Sequence, residues 1–288
     1  MRVNQMIALL TGATGGIGRA IAEELLNHGA AVFLVGRDEQ ALTSAALDLI
    51  QHKDRVTTCS ADITVPAQRK QLCQLALNWR GGVNALINNA GICDFGLLAD
   101  QEAACIETAL AVNVQAPMQL TQLLLPHFQR APAAAIINIG SVFGSIGYPG
   151  YAAYCASKFA LRGFTEALRR ELEGSSVRMH YLAPRATRTG MNSSAVDGMN
   201  AELRVAVDSP QRVARELRLM IEQGRASRVI GSPESFFTQV NALAPGVVDK
   251  SIHKNLPVIQ RYARENTASV RSAEPVRSIS PSLKRNAL

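Results

Sequence analysis

The sequence predicts an α/β protein, a three-layer, doubly wound parallel sheet in one domain. Three observations carry that expectation. Short apolar runs alternate with helical stretches along most of the chain. The runs are nearly continuous rather than alternating apolar with polar, as expected when helices cover both faces of a sheet. Glycines or polar residues follow them, at the strand ends where ligands bind in sheets wound by right-handed crossovers.

The elements follow in order. MIALL at 6–10 reads as a short buried strand, and after a glycine turn Gly18 to His28 reads as a helix closed by Gly29. AAVFLVG at 30–36 is the next strand, followed by a helix from about Glu39 to His52. VTTCSAD at 56–62 is a third strand, and Pro66 opens a helix reaching about Trp79. VNALINN at 83–89 is a strand ending in polar residues. One helix is expected over roughly 101–129, kinked at Pro117. A strand at 134–141, a helix at 151–173 and a strand at 177–184 come next. Helix 210–223 and strand 227–232 complete the pattern.

Two stretches break the rhythm. Residues 186–209, rich in Thr, Ser, Asn and Gly, fit a mobile flap over a site. Residues 233–260 are apolar but punctuated by Pro245 and Pro257, and read as a core-covering helix or as a substrate or interface wall. The expected organisation is a catalytic domain over 1–235, an apolar extension over 236–262 and a basic, disordered tail over 263–288.

Composition narrows the function classes. The 288 residues are 47% hydrophobic and 18% charged, which suits a buried core and opposes disorder. No apolar run approaches membrane-spanning length, and the first strand begins too early to leave room for a signal peptide. A cytoplasmic protein is expected, with peripheral membrane contact through 236–288 left open. The net charge of +7 is uneven: six basic residues against Glu265 and Glu274 lie within 261–288. That placement points to a solubilising tail rather than to nucleic acid. The five cysteines are odd in number and widely spaced, fitting free thiols rather than a disulfide framework. No zinc-like His or Cys spacing occurs, so no metal is expected.

The candidate nucleotide end begins with Thr11-Gly12-Ala13-Thr14-Gly15-Gly16-Ile17-Gly18, between a strand and a helix. Such glycines allow a tight turn and close approach to a pyrophosphate, and the helix N-terminus presents free N–H groups. The spacing is GxxxGxG, and no Gly-Lys-Ser/Thr ending suggests a triphosphate loop. The second strand ends in Gly36-Arg37, where a carboxylate would bind ribose hydroxyls and a guanidinium suits a 2′-phosphate. NADP is therefore expected over NAD, although Asp38 stands one residue later. Asp62 and Ile63 are candidates for the adenine edge. The amides of Asn88-Asn89-Ala90-Gly91 are placed to tie strands together, with Gly91 letting backbone come close to a cofactor.

The chemical end has Ser141 after a strand and Tyr154 and Lys158 four apart on the next helix, sharing a face. A phenol titrates near pH 10, too high for efficient proton transfer at neutrality; a neighbouring ammonium lowers it. A serine hydroxyl can hold a carbonyl or alcohol oxygen beside the phenol. The set suits hydride transfer, with tyrosine moving the proton.

Together these residues resemble the classical short-chain dehydrogenase/reductase family, over about 5–235. The resemblance rests on TGATGGIG at 11–18, Asp62, NNAG at 88–91, Asn113, Ser141, YCASK at 154–158 and the stretch Pro184 to Thr189, in that order. It implies a Rossmann-type fold, with Tyr154 as acid or base, Lys158 lowering its pKa and binding the nicotinamide ribose, and Ser141 orienting the substrate oxygen. It further implies that Asn113 holds a water of a proton relay. Gly12, Thr14 and Ile17 would line the pyrophosphate loop, together with Gly15, Gly16 and Gly18. Asn89 and Ala90 would lie near the adenosine ribose, and Pro184, Thr187 and Thr189 near the nicotinamide and phosphates. The family usually has Pro-Gly where this chain has Pro184-Arg185, so a backbone with negative φ is expected there. Arg185 either reaches an anionic ligand or points to solvent or an acidic partner.

Cys93, Phe95, Phe143, Tyr148 and Met191 make an apolar substrate wall, beside Ser141 and Tyr154. The expectation is reversible hydride transfer between NADP(H) and an apolar ketone, aldehyde or secondary alcohol. An NAD-dependent lipid- or steroid-like alcohol dehydrogenase and a nucleotide-bound scaffold protein are the alternatives. Family members usually pair through helices corresponding to 101–129 and 151–173, which implies a homodimer or homotetramer.

Overall fold

The computed structural model describes residues 1–273, with side chains to Ser269. Its first half runs β1 (Ile7–Thr11), α1 (Gly16–Asn27), β2 (Ala31–Gly36), α2 (Glu39–Asp48), β3 (Val56–Ser60), α3 (Pro66–Asn78) and β4 (Ala85–Asn88). The second half continues with α4 (Ala103–Leu110), α5 (Ala116–Phe128), β5 (Ala134–Ile139), α6 (Ala152–Glu171) and β6 (Val177–Ala183). It closes with α7 (Ser194–Glu202), α8 (Pro210–Glu222), β7 (Ser227–Val229), α9 (Glu234–Leu243) and α10 (Pro245–Ala273). The strands form one seven-stranded sheet in the order β3-β2-β1-β4-β5-β6-β7, and every pairing is parallel.

The order reverses between β1 and β4, the switch point at which such sheets bind ligands. Side-chain alternation splits the core into two layers. Ala8 and Leu10 of β1 pack with Ile21, Leu25 and Leu217 on one face. Leu9 packs with Leu72, Leu120 and Phe128 on the other. Both faces are covered, which is why the strands read as continuous apolar runs.

Helix starts follow local chemistry. Asp38, Ser193 and Ser209 cap α2, α7 and α8 by accepting from Ala41, Val196 and Arg212 N–H groups. Pro66 and Pro210 sit in first turns, where a missing N–H costs nothing.

The structure departs from the sequence reading in three elements. The helix expected over 101–129 is two helices joined by a π turn at Ala111–Gln115. Pro117 lies in the first turn of α5, and Pro126 is the proline inside it. The flap at 186–209 contains the helix α7. The expected division of the C-terminus at 262 is also corrected. α10 runs unbroken from Pro245 to Ala273, so 263–273 is helical, while 274–288 lies outside the described residues. The extension buries Val248, Ile259 and Ala263 but leaves the apolar side chains of Phe236, Leu243 and Val247 exposed. Among the described residues, no helix is long and apolar enough to cross a membrane, and no His, Cys, Asp or Glu cluster could hold a metal.

Candidate active site

The site is built at the C-terminal edge of the sheet, from the turns that follow its strands. The loop after β1 comes within contact of the loop after β4. Gly12 has φ +64°, and a Cβ there would lie 2.8 Å from the Ala90 Cα. Thr11 fixes that approach, its hydroxyl accepting from the Asn89 and Ala90 N–H groups at 3.1 and 3.0 Å. The Asn89 amide donates to the Thr11 and Gly12 carbonyls, both at 3.0 Å. One strand further, Asn88 Nδ2 donates to Asn138 Oδ1 at 2.8 Å, and Asn138 Nδ2 to Thr165 Oγ1 at 2.7 Å. The expected tying of strands by these amides thus joins β4, β5 and α6 through buried bonds.

One cavity of about 1230 Å³ runs along this edge. At one end its wall includes Gly12, Thr14, Gly15, Gly16, Ile17, Gly18, Arg37, Asp62, Ile63, Asn89, Ala90 and Gly91. Pro184, Thr187 and Thr189 also line it. Asp62 is partly committed within the wall, its Oδ1 accepting from the Thr64 hydroxyl and N–H at 2.6 and 2.8 Å. The Thr64 hydroxyl bond holds its carboxyl below the ordinary value, aided by Arg37 and Arg69. Arg37 is exposed at the rim. Asp38 Oδ1 accepts the Ala41 N–H at 3.0 Å as the cap of α2.

At the other end the wall includes Ser141, Tyr154 and Lys158. Ser141 follows β5 and accepts from the Phe143 N–H at 3.1 Å, which fixes its side chain. Tyr154 and Lys158 lie on the first turns of α6. Lys158 is buried and donates to the Ile139 carbonyl at 3.0 Å, and its Nζ lies 5.7 Å from the centre of the Tyr154 ring. Burial lowers the Lys158 ammonium to about 8. Burial also raises the Tyr154 phenol above its ordinary value, and the Ser141 hydroxyl pulls in the opposite direction. Loss of solvent is the larger of these two effects, so the phenol stays above its ordinary value.

Asn113 is the one predicted residue that the structure does not bring to the cavity wall. It is fully buried in the π turn. Its Oδ1 accepts from the Ile92 N–H at 2.9 Å, and its Nδ2 donates to the Ile92 carbonyl and to Ser157 Oγ at 2.9 and 3.0 Å. The side-chain amide thus holds the loop after β4 against α6.

Cys93, Phe95, Phe143, Tyr148 and Met191 all line the cavity, with Met191 at its exposed rim. Phe143 stacks on Tyr148 at 4.9 Å, and Tyr151, absent from the sequence expectation, packs on Phe95 and Phe143 at 4.9 and 5.2 Å. Burial pushes the Cys93 thiol up to about 12, against the pull of Lys158, so it is a neutral, weakly polar wall. The expected flap and the apolar C-terminal wall meet as a roof. Val196 and Met199 of α7 pack with Ile259 and Ala263 of α10. Phe237, Ile252, Asn255 and Thr267 complete the lining, and Asn266 Nδ2 donates to the Phe95 carbonyl at 2.7 Å. No local motif marks these residues, since their role depends on where α10 folds back. A further missed residue is Tyr181 of β6. Its ring lies where a Cβ at Gly140 would meet Cζ at 2.1 Å, so it backs the turn that carries Ser141.

The short chain dehydrogenase family model matches residues 6–200. Nodulation protein G of Rhizobium sp. (strain N33) is 33% identical over 248 residues, covering 86% of this chain and 94% of that protein. The uncharacterized oxidoreductase DltE of Bacillus subtilis (strain 168) is 34% identical over 200 residues, covering 68% and 77%. A crystal structure of a short chain dehydrogenase/reductase from Burkholderia phymatum superposes with a TM-score of 0.76 at 25% identity, covering 83% and 94%. That structure is a complex with NAD, which corrects the expectation of NADP. The physical reason lies in Arg37: it stands exposed at the cavity rim, and its charge already acts on Asp62. An arginine after β2 is therefore not enough to select a 2′-phosphate. With the glycine loop, the Ser141–Tyr154–Lys158 wall and a family match over more than half its length, the chain belongs to the classical short-chain dehydrogenase/reductase family, and it is a hydride-transfer oxidoreductase of that kind.

Proposed function

We propose that the protein reversibly transfers a hydride between NAD(H) and an apolar ketone, aldehyde or secondary alcohol. The observation that carries this reading is the continuity of one cavity, with the glycine loop at one end and Ser141, Tyr154 and Lys158 at the other.

The residues fit a nicotinamide dinucleotide. The close approach at Gly12 leaves a cradle without side chains at the start of α1, where helix N–H groups favour a pyrophosphate. Asp62 and Ile63 would hold the adenine edge, Asn89 and Ala90 the adenosine ribose, and Thr187 and Thr189 the nicotinamide end. When bound, the dinucleotide supplies the hydride acceptor or donor. Tyr154, protonated at neutral pH, gives its proton to the carbonyl oxygen in reduction and takes one back in oxidation. Ser141 donates a hydrogen bond to the same oxygen. Lys158 places a cation beside the phenolate that reduction leaves behind. Asn113 acts at one remove, by holding the loop after β4 against α6.

The substrate half is aromatic and aliphatic, which favours an apolar carbonyl over a sugar. Leu110, Met118, Leu123 and Phe159 are exposed on α4, α5 and α6, and this apolar surface supports pairing with a second copy. The test is a panel of apolar ketones, aldehydes and secondary alcohols with NADH or NAD, followed by nicotinamide absorbance. Turnover that favours apolar over sugar substrates supports the reading, and sugar-specific turnover contradicts it.

A further inference from the structure

Arg185 stands where β6 hands over to the flap, and its guanidinium is committed within the fold. Nε donates to Asp208 Oδ2 at 3.0 Å and Nη2 to Asp208 Oδ1 at 2.9 Å, a two-pronged contact. Nη1 donates to Glu234 Oε2 at 3.0 Å. The Arg185 and Asp208 side chains are 11% and 4% exposed, so solvent screens the pair little. All three guanidinium nitrogens donate to acidic side chains, which matches the acidic-partner reading of Arg185.

The partners sit at structurally separate places. Asp208 closes the flap: its N–H donates to the Ala186 carbonyl at 2.8 Å, and its own carbonyl accepts from the Arg188 N–H at 2.9 Å. Thr187 and Thr189, between those two ends, line the cavity. Glu234 is the first residue of α9, and Phe237, one turn later, lines the same cavity. One side chain therefore joins the start of the flap, its end and the C-terminal extension. Without it, Glu234 loses a buried partner and Asp208 keeps only Arg212, at 2.7 Å.

We propose that Arg185 is a positioning residue that locks the flap over the dinucleotide half of the cavity by tying it to α9. The part concerning cofactor rests on the dinucleotide reading above. Flap opening can be read without it, because Arg188 is exposed within the flap and is a trypsin site.

The experiment uses the full chain and measures two quantities: the rate of tryptic cleavage after Arg188, by mass spectrometry, and the Kd for NADH, by calorimetry. Arg185→Met is expected to raise both by roughly fivefold or more, and kcat at saturating NADH is expected to change less than Kd. Glu234→Gln, which severs only the α9 limb, is expected to shift both in the same direction by less. Arg185→Lys, which keeps the charge without the fork, is expected to recover part of the loss. Wild-type cleavage and wild-type Kd in a folded Arg185→Met protein would overturn the lock. If that variant does not fold, unchanged values in Glu234→Gln overturn it instead. Failure of the wild-type protein to bind NADH would contradict the functional reading, and cleavage after Arg188 alone would then decide the lock.

Discussion

Lys158 shows how the site trades stability for chemistry. Its ammonium is buried, with the Ile139 carbonyl as hydrogen-bond partner, and burial brings its pKa down from 10.5 to about 8. A cation whose folded pKa lies below its unfolded value costs stability when charged. That cost is fully present below about pH 8 and fades as pH rises toward 10.5. Lys158→Met is therefore expected to raise Tm at pH 7 by ~2–5 °C. The gain should shrink across the window from about pH 8 to 10.5, as scanning calorimetry would reveal. A variant less stable than wild type at neutral pH would contradict the burial penalty. Tyr154 carries the opposite sign. Burial keeps its phenol protonated, so carbonyl reduction should hold through neutral pH, while oxidation, which needs the phenolate, should rise with alkalinity.

At the scale of elements, α10 adds a roof to the substrate half of the cavity at the sheet edge. Ile259 and Ala263 are fully buried against α7 and Phe95, and Asn266 holds the Phe95 carbonyl. Ile259→Ala should cost about 2–5 kcal/mol through the cavity it leaves, measured by denaturant unfolding. It should also raise the KM of bulky substrates more than that of NADH, because α10 lies over the substrate half. The sequence made the strands and the two ends of the site legible because strand ends, glycine turns and the Tyr154–Lys158 spacing are local signals. The helix expected over 101–129 failed for a local reason as well: the π turn at Ala111–Gln115 keeps the apolar pattern running while breaking the helix in two. Asn113 was found by its neighbours in the chain, but its commitments to Ile92 and Ser157 are tertiary and left no mark there. Tyr151 and Tyr181 carry no local signal because their contacts span many residues of sequence, and for the same reason the sequence leaves open whether the C-terminal segment covers the core, the substrate or an interface. NADP was inferred from one residue type at one position, without the surroundings of Arg37.

For the molecule as a whole, the +7 charge does not describe the site. Arg185, Arg212 and Arg218 are paired with Asp208, Glu234, Glu24 and Glu222. Exposed apolar side chains on α4, α5 and α6 lead to the expectation of a homodimer or homotetramer, measured by light scattering coupled to size exclusion; a monomeric mass at working concentration would contradict it. The central claim is hydride transfer between nicotinamide and an apolar carbonyl, with Tyr154 moving the proton. It is tested most directly by incubating the protein with an apolar ketone and NADH deuterated at the transferring carbon, then locating the label by mass spectrometry. The account predicts an alcohol carrying deuterium on the former carbonyl carbon. It also predicts that Tyr154→Phe will slow formation of that alcohol by ~100-fold or more while still binding NADH. Unlabelled alcohol, or a Tyr154→Phe protein as active as wild type, would contradict it.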